Sequence, residues 1–552
     1  MGRPKVPQNR QVGQLALPFV TVYAPEEFTP EEAEILRRYF TNLDGPVFAL
    51  VNLPEVVKGA LFARYSRSAK SLRRLFLDEF VGDLDVSGDL GVDATTGLQR
   101  AEELYEKVFF EYGDDSVAQL GGVHLACEQA SNVLTKILEW GRLASYLEQS
   151  TRYISYDARL AGRYRFYRDI DVLNSRFGTR YVGDMDRMFD SYSTLVDKVT
   201  EHVRSTVKRD PRDSDFVFRQ ATRAKALDAV RGVLPSSSLS NVGIYASGQA
   251  YEAMLIRMRS HPLPEAQQYA ALMLEELRKV IPSFLRRVDL ADRGGRWSEY
   301  LASTRAETSE LVSELFADTP VDHSPPVVLT DWDPEGEDKL IAAICYSHTS
   351  LSENQIMAKV ATMSHAEKVA ILKTYVGQRE NRRHRPGRAF ERTDYRFDVL
   401  SDYGAFRDLQ RHRLLTIEWQ PLTPNHGYTR PDLVDEAGQA AAFDEVMARS
   451  ASLYDALRPD FPQQAAYAVC MAYRVRYVMQ FNAREAMHLL ELRSSPQGHP
   501  AYRRVALEMH RLIAEQAGHR AIAETMTHLT LEAPELERLA AERQAEARRG
   551  GR

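Results

Sequence analysis

Ser145, Glu148, Gln149, Ser150 and Arg152 stand within eight residues of one another in SYLEQSTRY. Hydroxyls beside a guanidinium can donate several hydrogen bonds to one oxyanion, and a nucleotide phosphate is the oxyanion that this set suits. A second group, Arg411, His412 and Arg413 of QRHRLLTIEWQ, sets three basic side chains in succession. Consecutive cations repel one another unless an anion or an acidic neighbour compensates them, so this triplet on its own is either a solvated basic face or the seat of a phosphate-bearing ligand.

The elements that must hold these groups are read from periodicity. ASNVLTKILEWGRLASYLEQ has apolar positions every three or four residues, which predicts a helix running up to the first cluster. RTDYRFDVL alternates, with Tyr395, Phe397 and Val399 on one face, and predicts a strand, with a helix to follow before the basic triplet. PEAQQYAALMLEELRKVIPSFLRRV reads as a further amphipathic helix, and the tail from Glu532 as a polar helix that frays.

At 552 residues the chain exceeds the size at which one core stops growing, so at least two domains are expected. Asp318 to Asp338, DTPVDHSPPVVLTDWDPEGED, collects prolines and acids between helix-like regions and reads as a linker. Segments on either side of it are alike. GALFARYSRS, with Tyr65 and Ser66, matches LIAAICYSHTS, with Tyr346 and Ser347, at an offset of 281 residues. LEWGRLASYLEQ around Arg142 matches LQRHRLLTIEWQ around Arg413 at an offset of 271. Offsets near half the chain length imply an internal duplication. The expected division is an N-terminal domain over 1–315, a linker over 316–340 and a C-terminal domain over 341–552.

Hydrophobic residues at 44% and charged residues at 27% are ordinary for a globular protein. A formal net charge of -6 argues against broad binding to nucleic acid and leaves small anions as ligands. Cys127, Cys345 and Cys470 are far apart, which indicates neither a disulfide framework nor a cysteine-rich metal site and fits a reducing cytoplasm. No uncharged apolar run approaches the roughly 20 residues of a membrane span, and the N-terminus lacks a secretory apolar region, so a cytoplasmic location is expected.

Taken together, the two clusters resemble the signature of the flavin-dependent thymidylate synthases: an Arg-His-Arg triplet, two spaced residues, a serine, four more residues, a second serine and, two positions on, an arginine. The first half has Trp140-Gly141-Arg142 for the triplet but keeps Ser145, Glu148, Ser150 and Arg152. The second keeps Arg411-His412-Arg413 and has Thr416, Trp419, Pro421 and Thr423 for the rest. YGDDSVAQL, Tyr112 to Leu120, resembles a degraded form of the family's YGHxSxxEH stretch, whereas RPGRAFER in the other half keeps Glu391, with His384 upstream. Asp228 and Arg231 match a later ExxR segment where Gln463 and Ala466 stand in the second half. Asn482, Arg484 and Arg493 match the family's NxR and following arginine where the first half has Ser247 and Gln249. What one half has lost the other has kept.

The resemblance implies two tandem domains of the α/β (α+β) class, each a small sheet flanked by long helices and helix-rich overall. It implies reductive methylation of dUMP to dTMP, with methylenetetrahydrofolate as carbon donor, NADPH as reductant and FAD as hydride carrier. Carried over by motif, the nucleotide side is Arg142, Ser145, Glu148, Gln149, Ser150, Arg152 and Arg231, with Arg411. The flavin side is Arg411, His412, Arg413, Glu391, Asn482, Arg484 and His488. Arg493 is the expected catalytic residue, a guanidinium that stabilises charge on the pyrimidine without giving up a proton. No metal is implied, and the working unit is expected to be a homodimer imitating the family's tetramer. The departures in YGDDSVAQL, Trp140-Gly141 and Trp419 leave two alternatives: a flavin-dependent transferase acting on another pyrimidine nucleotide, and a non-catalytic flavin- or nucleotide-binding protein.

Overall fold

The computed structural model describes residues 23–53, 57–58, 61–62, 65, 68–79, 122–152, 154–321, 324–532 and 534–550. YGDDSVAQL, Ser66 and Tyr153 lie outside the described residues.

Two four-stranded antiparallel sheets carry the fold. The first contains β1 (Val47–Leu50), β2 (Gly122–Ser131), β3 (Ala144–Glu148) and β4 (Leu239–Ser247) in the order β1-β2-β4-β3. The second contains β5 (Val327–Trp332), β6 (Asp394–Asp402), β7 (Thr416–Trp419) and β8 (Arg474–Asn482) in the order β5-β6-β8-β7. The same topology is built twice, and antiparallel strands with helices segregated around them make an α+β arrangement. The expected duplication and fold class are thus what the chain adopts.

The helices that position the site also repeat. α1 (Asn132–Leu138) follows β2, and in the second half Tyr403–Leu409 follows β6; Ser131 and Asp402 cap them by accepting from Leu134 N and Ala405 N. Gly178–Thr206 is α2, Asp215–Val230 is α3, and both lie between β3 and β4. α4 (Gly248–Arg259) follows β4 and is capped by Ser247. Arg296–Leu315 is α5, Tyr403–Leu409 is α6 and Ala440–Leu457 is α7. α8 (Ala483–Arg493) follows β8 and is capped by Asn482. Pro500–Glu515 forms α9 and Leu539–Gly550 forms α10.

In β6 the alternation holds, with Tyr395, Phe397 and Val399 all buried. Two expectations are corrected. The helix read through to Gln149 stops at Leu138, and Ala144–Glu148 is strand β3. Ala144 and Glu148, four apart, share a face in either geometry, so over so short a run the two periods cannot be told apart. The stretch 316–340 is also more than a linker, since it contains β5, whose Val327 and Leu329 are buried against the sheet. Its flanking prolines and acids mask a strand of six residues. The polar tail, in turn, is docked: Arg543 in α10 donates to Asp213 at 2.9 Å.

The halves meet across a pseudo-dyad. Ser236 N donates to Val469 O and Met471 N to Leu234 O, both at 2.9 Å. Ser237 N donates to Tyr467 O at 3.2 Å and Ala472 N to Gly232 O at 2.8 Å. Each bond becomes its partner when 235 is added to one residue number and subtracted from the other, the signature of an isologous contact made inside one chain. The edge strands and the residues leading into them exchange contacts in the same way, at an offset of 271: Arg142 donates to Thr416 Oγ1 at 2.9 Å, and Arg413 to Ser145 Oγ at 3.3 Å. One continuous buried apolar cluster spans both halves, from Val47 to Leu536. No described helix is long and apolar enough to cross a membrane.

Candidate active site

The seam brings the two groups of charged residues together. Glu148 ends edge strand β3 with its side chain fully buried. It accepts from Arg407 Nη2 at 2.7 Å and Lys136 Nζ at 3.1 Å, and forms an ion pair with Arg411 Nη2 at 2.9 Å. Burial works to raise its pKa, but Arg407, Lys136 and Arg411 outweigh that and hold the carboxyl well below the usual range. Arg407 and Arg411 belong to the second half, the first in the last turn of α6 and the second two residues beyond its end.

Asp408 lies beside this group. Arg231 Nη1 reaches its Oδ2 at 3.3 Å and Arg411 Nη2 its Oδ1 at 3.7 Å, while Arg493 and Arg152 add to the positive field around it. Burial opposes ionisation here too, and the guanidiniums overcome it, so Asp408 stays charged far below the ordinary carboxylate range. Four guanidiniums, two from each half, therefore surround Asp408, while Glu148 also pairs with Arg411 and Asp228 with Arg152. Arg231 Nη2 and Arg411 Nε are buried without a hydrogen-bond partner. Unmade bonds on buried charged donors are costly and are satisfied in a working site by an acceptor.

Arg152 is bidentate to Asp228 at 3.0 and 2.6 Å and donates to the Tyr502 hydroxyl at 2.8 Å. Its backbone N–H is capped by Ser150 Oγ at 3.2 Å. Arg538 donates to the same Asp228 at 3.0 Å. The Tyr502 ring sits between Arg152 of the first half, 5.8 Å away, and Arg493 of the second, 5.4 Å away.

Arg493 closes α8 and donates from Nε to His412 Nε2 at 3.0 Å. Because a guanidinium only donates, Nε2 must be the bare nitrogen, and the proton is on Nδ1. That Nδ1 lies 2.9 Å from Glu485 Oε1, which also takes a bond from His488 Nδ1 at 3.2 Å. Burial lowers the His412 pKa to about 4, so the imidazole is neutral near pH 7. His412, Glu485 and His488 could by distance hold a metal ion, but Nδ1 of His412 would have to lose its proton and Nε2 its arginine bond. The tautomer favours a hydrogen-bonded chain from Glu485 through His412 to Arg493.

The remaining expected residues go elsewhere. Gln149 donates to Ser68 O at 2.7 Å, away from the cluster. Asn482 uses its side chain to cap α8, and Arg484 is held by Pro386 O at 2.9 Å and Glu391 at 3.4 Å. Arg142 and Ser145 contact the opposite edge strand. The motif reading missed Lys136, Arg407, Asp408, Glu485 and Tyr502. Arg407 and Asp408 stand in the last turn of α6, just before the basic triplet, a closeness in sequence that could have drawn attention to them. Nothing in local spacing marks Tyr502.

A cavity of about 790 Å³ opens on the other side of His412, between the β3 and β7 edges and α4. Trp140, Tyr146 and Trp297 line it, together with Arg142, Arg257 and Arg413. A Cβ on Gly141 would lie 2.7 Å from the Tyr146 hydroxyl. In the second half the same two sequence positions hold His412 and Ile417.

Two copies of one α+β fold, closed on each other around a buried cluster of guanidiniums and carboxylates, define an internally duplicated protein. The chain belongs to the thymidylate synthase complementing protein family, whose sequence model matches residues 65–283 and 327–518, one segment in each half. It is 37% identical over 495 residues to a UPF0159 protein of Chlamydia pneumoniae, covering 89% of this chain and 93% of the relative. It is 30% identical over 521 residues to a UPF0159 protein of Thermoplasma acidophilum, covering 90% and 99%. Among solved structures, the UMP/dUMP methylase PolB from Streptomyces cacaoi bound with 5-Br dUMP matches 38% of this chain and 96% of its own, at 17% identity and a TM-score of 0.29. The family read from the split motifs is the family the comparison returns.

Proposed function

We propose that this protein is a flavin-dependent thymidylate synthase, methylating dUMP to dTMP with methylenetetrahydrofolate as carbon donor and NADPH as reductant. The observation that carries the reading is the pair of orphaned buried donors, Arg231 Nη2 and Arg411 Nε, beside Asp408, which four guanidiniums from the two halves surround. A phosphomonoester supplies the acceptors that these two buried donors lack. Arg231 and Arg411 grip the phosphate, and Arg152, fixed by Asp228 and Tyr502, borders it. Arg493 polarises the pyrimidine, held in place through His412 and Glu485.

FAD, when bound, supplies hydride transfer. Asn482, Arg484 and Glu391 are committed to a helix cap and to one another and leave little for it. His412 and Arg413 fit it, because both line the 790 Å³ cavity, which has aromatic walls and room for a large planar ligand. They would hold it within reach of the nucleotide-side residues, with His412 touching the cavity and Arg493 alike.

Release of tritium from [5-³H]dUMP, dependent on NADPH and methylenetetrahydrofolate, tests the reading. UMP run alongside decides whether another pyrimidine nucleotide is preferred. A second reading, a flavin- or nucleotide-binding protein without turnover, is supported by the saturation of Arg152 by Asp228, Tyr502 and Gln497 O. It predicts binding of dUMP with no tritium release.

A further inference from the structure

The cavity wall opposite His412 is built by the first half, from the segment whose motif is degraded. Trp140 is 39% exposed and Trp297 is 51% exposed, large apolar rings of a kind that is buried or stacked in finished structures. The Arg257 guanidinium lies over Trp140, 4.5 Å from the ring centroid, and donates to Ile137 O at 3.1 Å. Arg257, Arg142 and Arg413 line the cavity, and none of them has a carboxylate partner among the described residues. The acids that share the wall are spoken for or peripheral: Glu139 pairs with Lys136, Glu252 with Arg287, and Glu418 is exposed. Burial lowers the Arg257 pKa to about 10, a direction that a bound anion reverses.

Indole rings beside uncompensated guanidiniums are the chemistry of a planar heteroaromatic anion, stacked on carbon and gripped at its phosphate or carboxylate. We propose that Trp140, Trp297 and Arg257 form the recognition wall for such a ligand, and that its occupant is a flavin nucleotide. The assignment rests on the flavin reading above for the identity of the occupant. It gives Trp140-Gly141, where the basic triplet is lost, a role of its own: glycine admits the Tyr146 phenol, and the indole offers a stacking face where the other half has a cation.

Two of the chain's four tryptophans line this cavity, and the others, Trp332 and Trp419, pack against the core, so emission reports on the wall directly. FAD is titrated into the full-length chain and tryptophan quenching followed, with folate titrated separately. The expected result is saturable quenching by FAD, weakened about tenfold or more in Arg257→Ala and in Trp140→Leu, which correspond to about 1.4 kcal/mol or more. Lys198→Ala, an exposed residue of α2 outside the cavity lining, should bind FAD as the parent does. FAD bound equally well by parent, Arg257→Ala and Trp140→Leu overturns the wall assignment and leaves the flavin reading standing. Saturable quenching by folate with none by FAD overturns the choice of occupant. No FAD binding by the folded parent, by quenching or by dialysis, overturns both.

Discussion

Arg411 Nη2 of the second half lies 2.9 Å from the Glu148 carboxylate of the first, inside one chain. The residues that each half kept, Glu148, Arg152 and Arg231 before the midpoint and Arg411, His412 and Arg493 after it, therefore converge without a second copy. The complementary loss of motifs has a physical reason: once two copies are joined in one chain, each side of a shared site needs supplying only once. A dimer remains compatible with this geometry, but the nucleotide-side cluster does not require one.

Glu148 should be a stability residue as much as a site residue. Removing its charge leaves Lys136, Arg407 and Arg411 facing one another in a buried place, a loss of about 3–5 kcal/mol for a broken buried pair. Glu148→Gln is expected to lower the urea midpoint at pH 7 accordingly. An unchanged midpoint would show that the three cations find other partners.

Acid should unfold the protein through the same groups. Glu148, Asp228 and Asp408 all have folded pKa values below their ordinary ones, burial opposing and neighbouring guanidiniums prevailing. Such carboxylates stabilise at pH values above the unfolded pKa, and the stabilisation is lost as pH falls from there toward the folded pKa. The urea midpoint should therefore fall steadily below about pH 4.5 and be flat on this account above about pH 5.5. Glu148→Gln should show a shallower acid slope than the parent; an equal slope would remove Glu148 from the set.

Phosphate recognition separates by ligand. Arg231→Ala and Arg411→Ala should each weaken dUMP binding by about 10- to 100-fold, the worth of one charge-assisted contact of about 1.5–3 kcal/mol. Deoxyuridine, which lacks the phosphate, should bind parent and variants alike in calorimetry. Equal losses for both ligands would mean that the arginines hold the fold rather than the phosphate.

The chain Glu485–His412–Arg493 predicts a split between binding and rate. Glu485→Ala frees the His412 tautomer and should lower kcat about tenfold or more with the dUMP dissociation constant little changed. Glu485→Gln, whose carbonyl still accepts from Nδ1, should recover much of it. Because burial lowers the His412 pKa to about 4, no activity limb should be traceable to it between pH 6 and 8. Equal loss in both variants would count against tautomer control.

The sheet-and-helix repeat was legible because strand β6 alternates cleanly and because LEWGRLASYLEQ and LQRHRLLTIEWQ stand 271 residues apart in register. β3 and β5 were hidden, one by a period too short to distinguish and the other by its acidic, proline-rich flanks. At the site, the spacing within a motif named Arg231, Arg411 and Arg493 but could not show that Asp408 sits among them. Tertiary meetings such as Tyr502 between Arg152 and Arg493 arise from segments 350 and 9 residues apart, and no local pattern encodes them.

Tritium release by mixed variants tests the central claim, a complete nucleotide site in each chain, most directly. Arg231→Ala and Arg493→Ala are assayed with [5-³H]dUMP, FAD, NADPH and methylenetetrahydrofolate, each alone and then mixed in equal amounts after unfolding and refolding together. The parent should release tritium, each variant should be nearly inactive, and the mixture should stay so because both residues serve the same site in the same chain. Recovery toward a quarter of parental activity in the mixture, or no release by the parent while it binds both dUMP and FAD, would contradict the account.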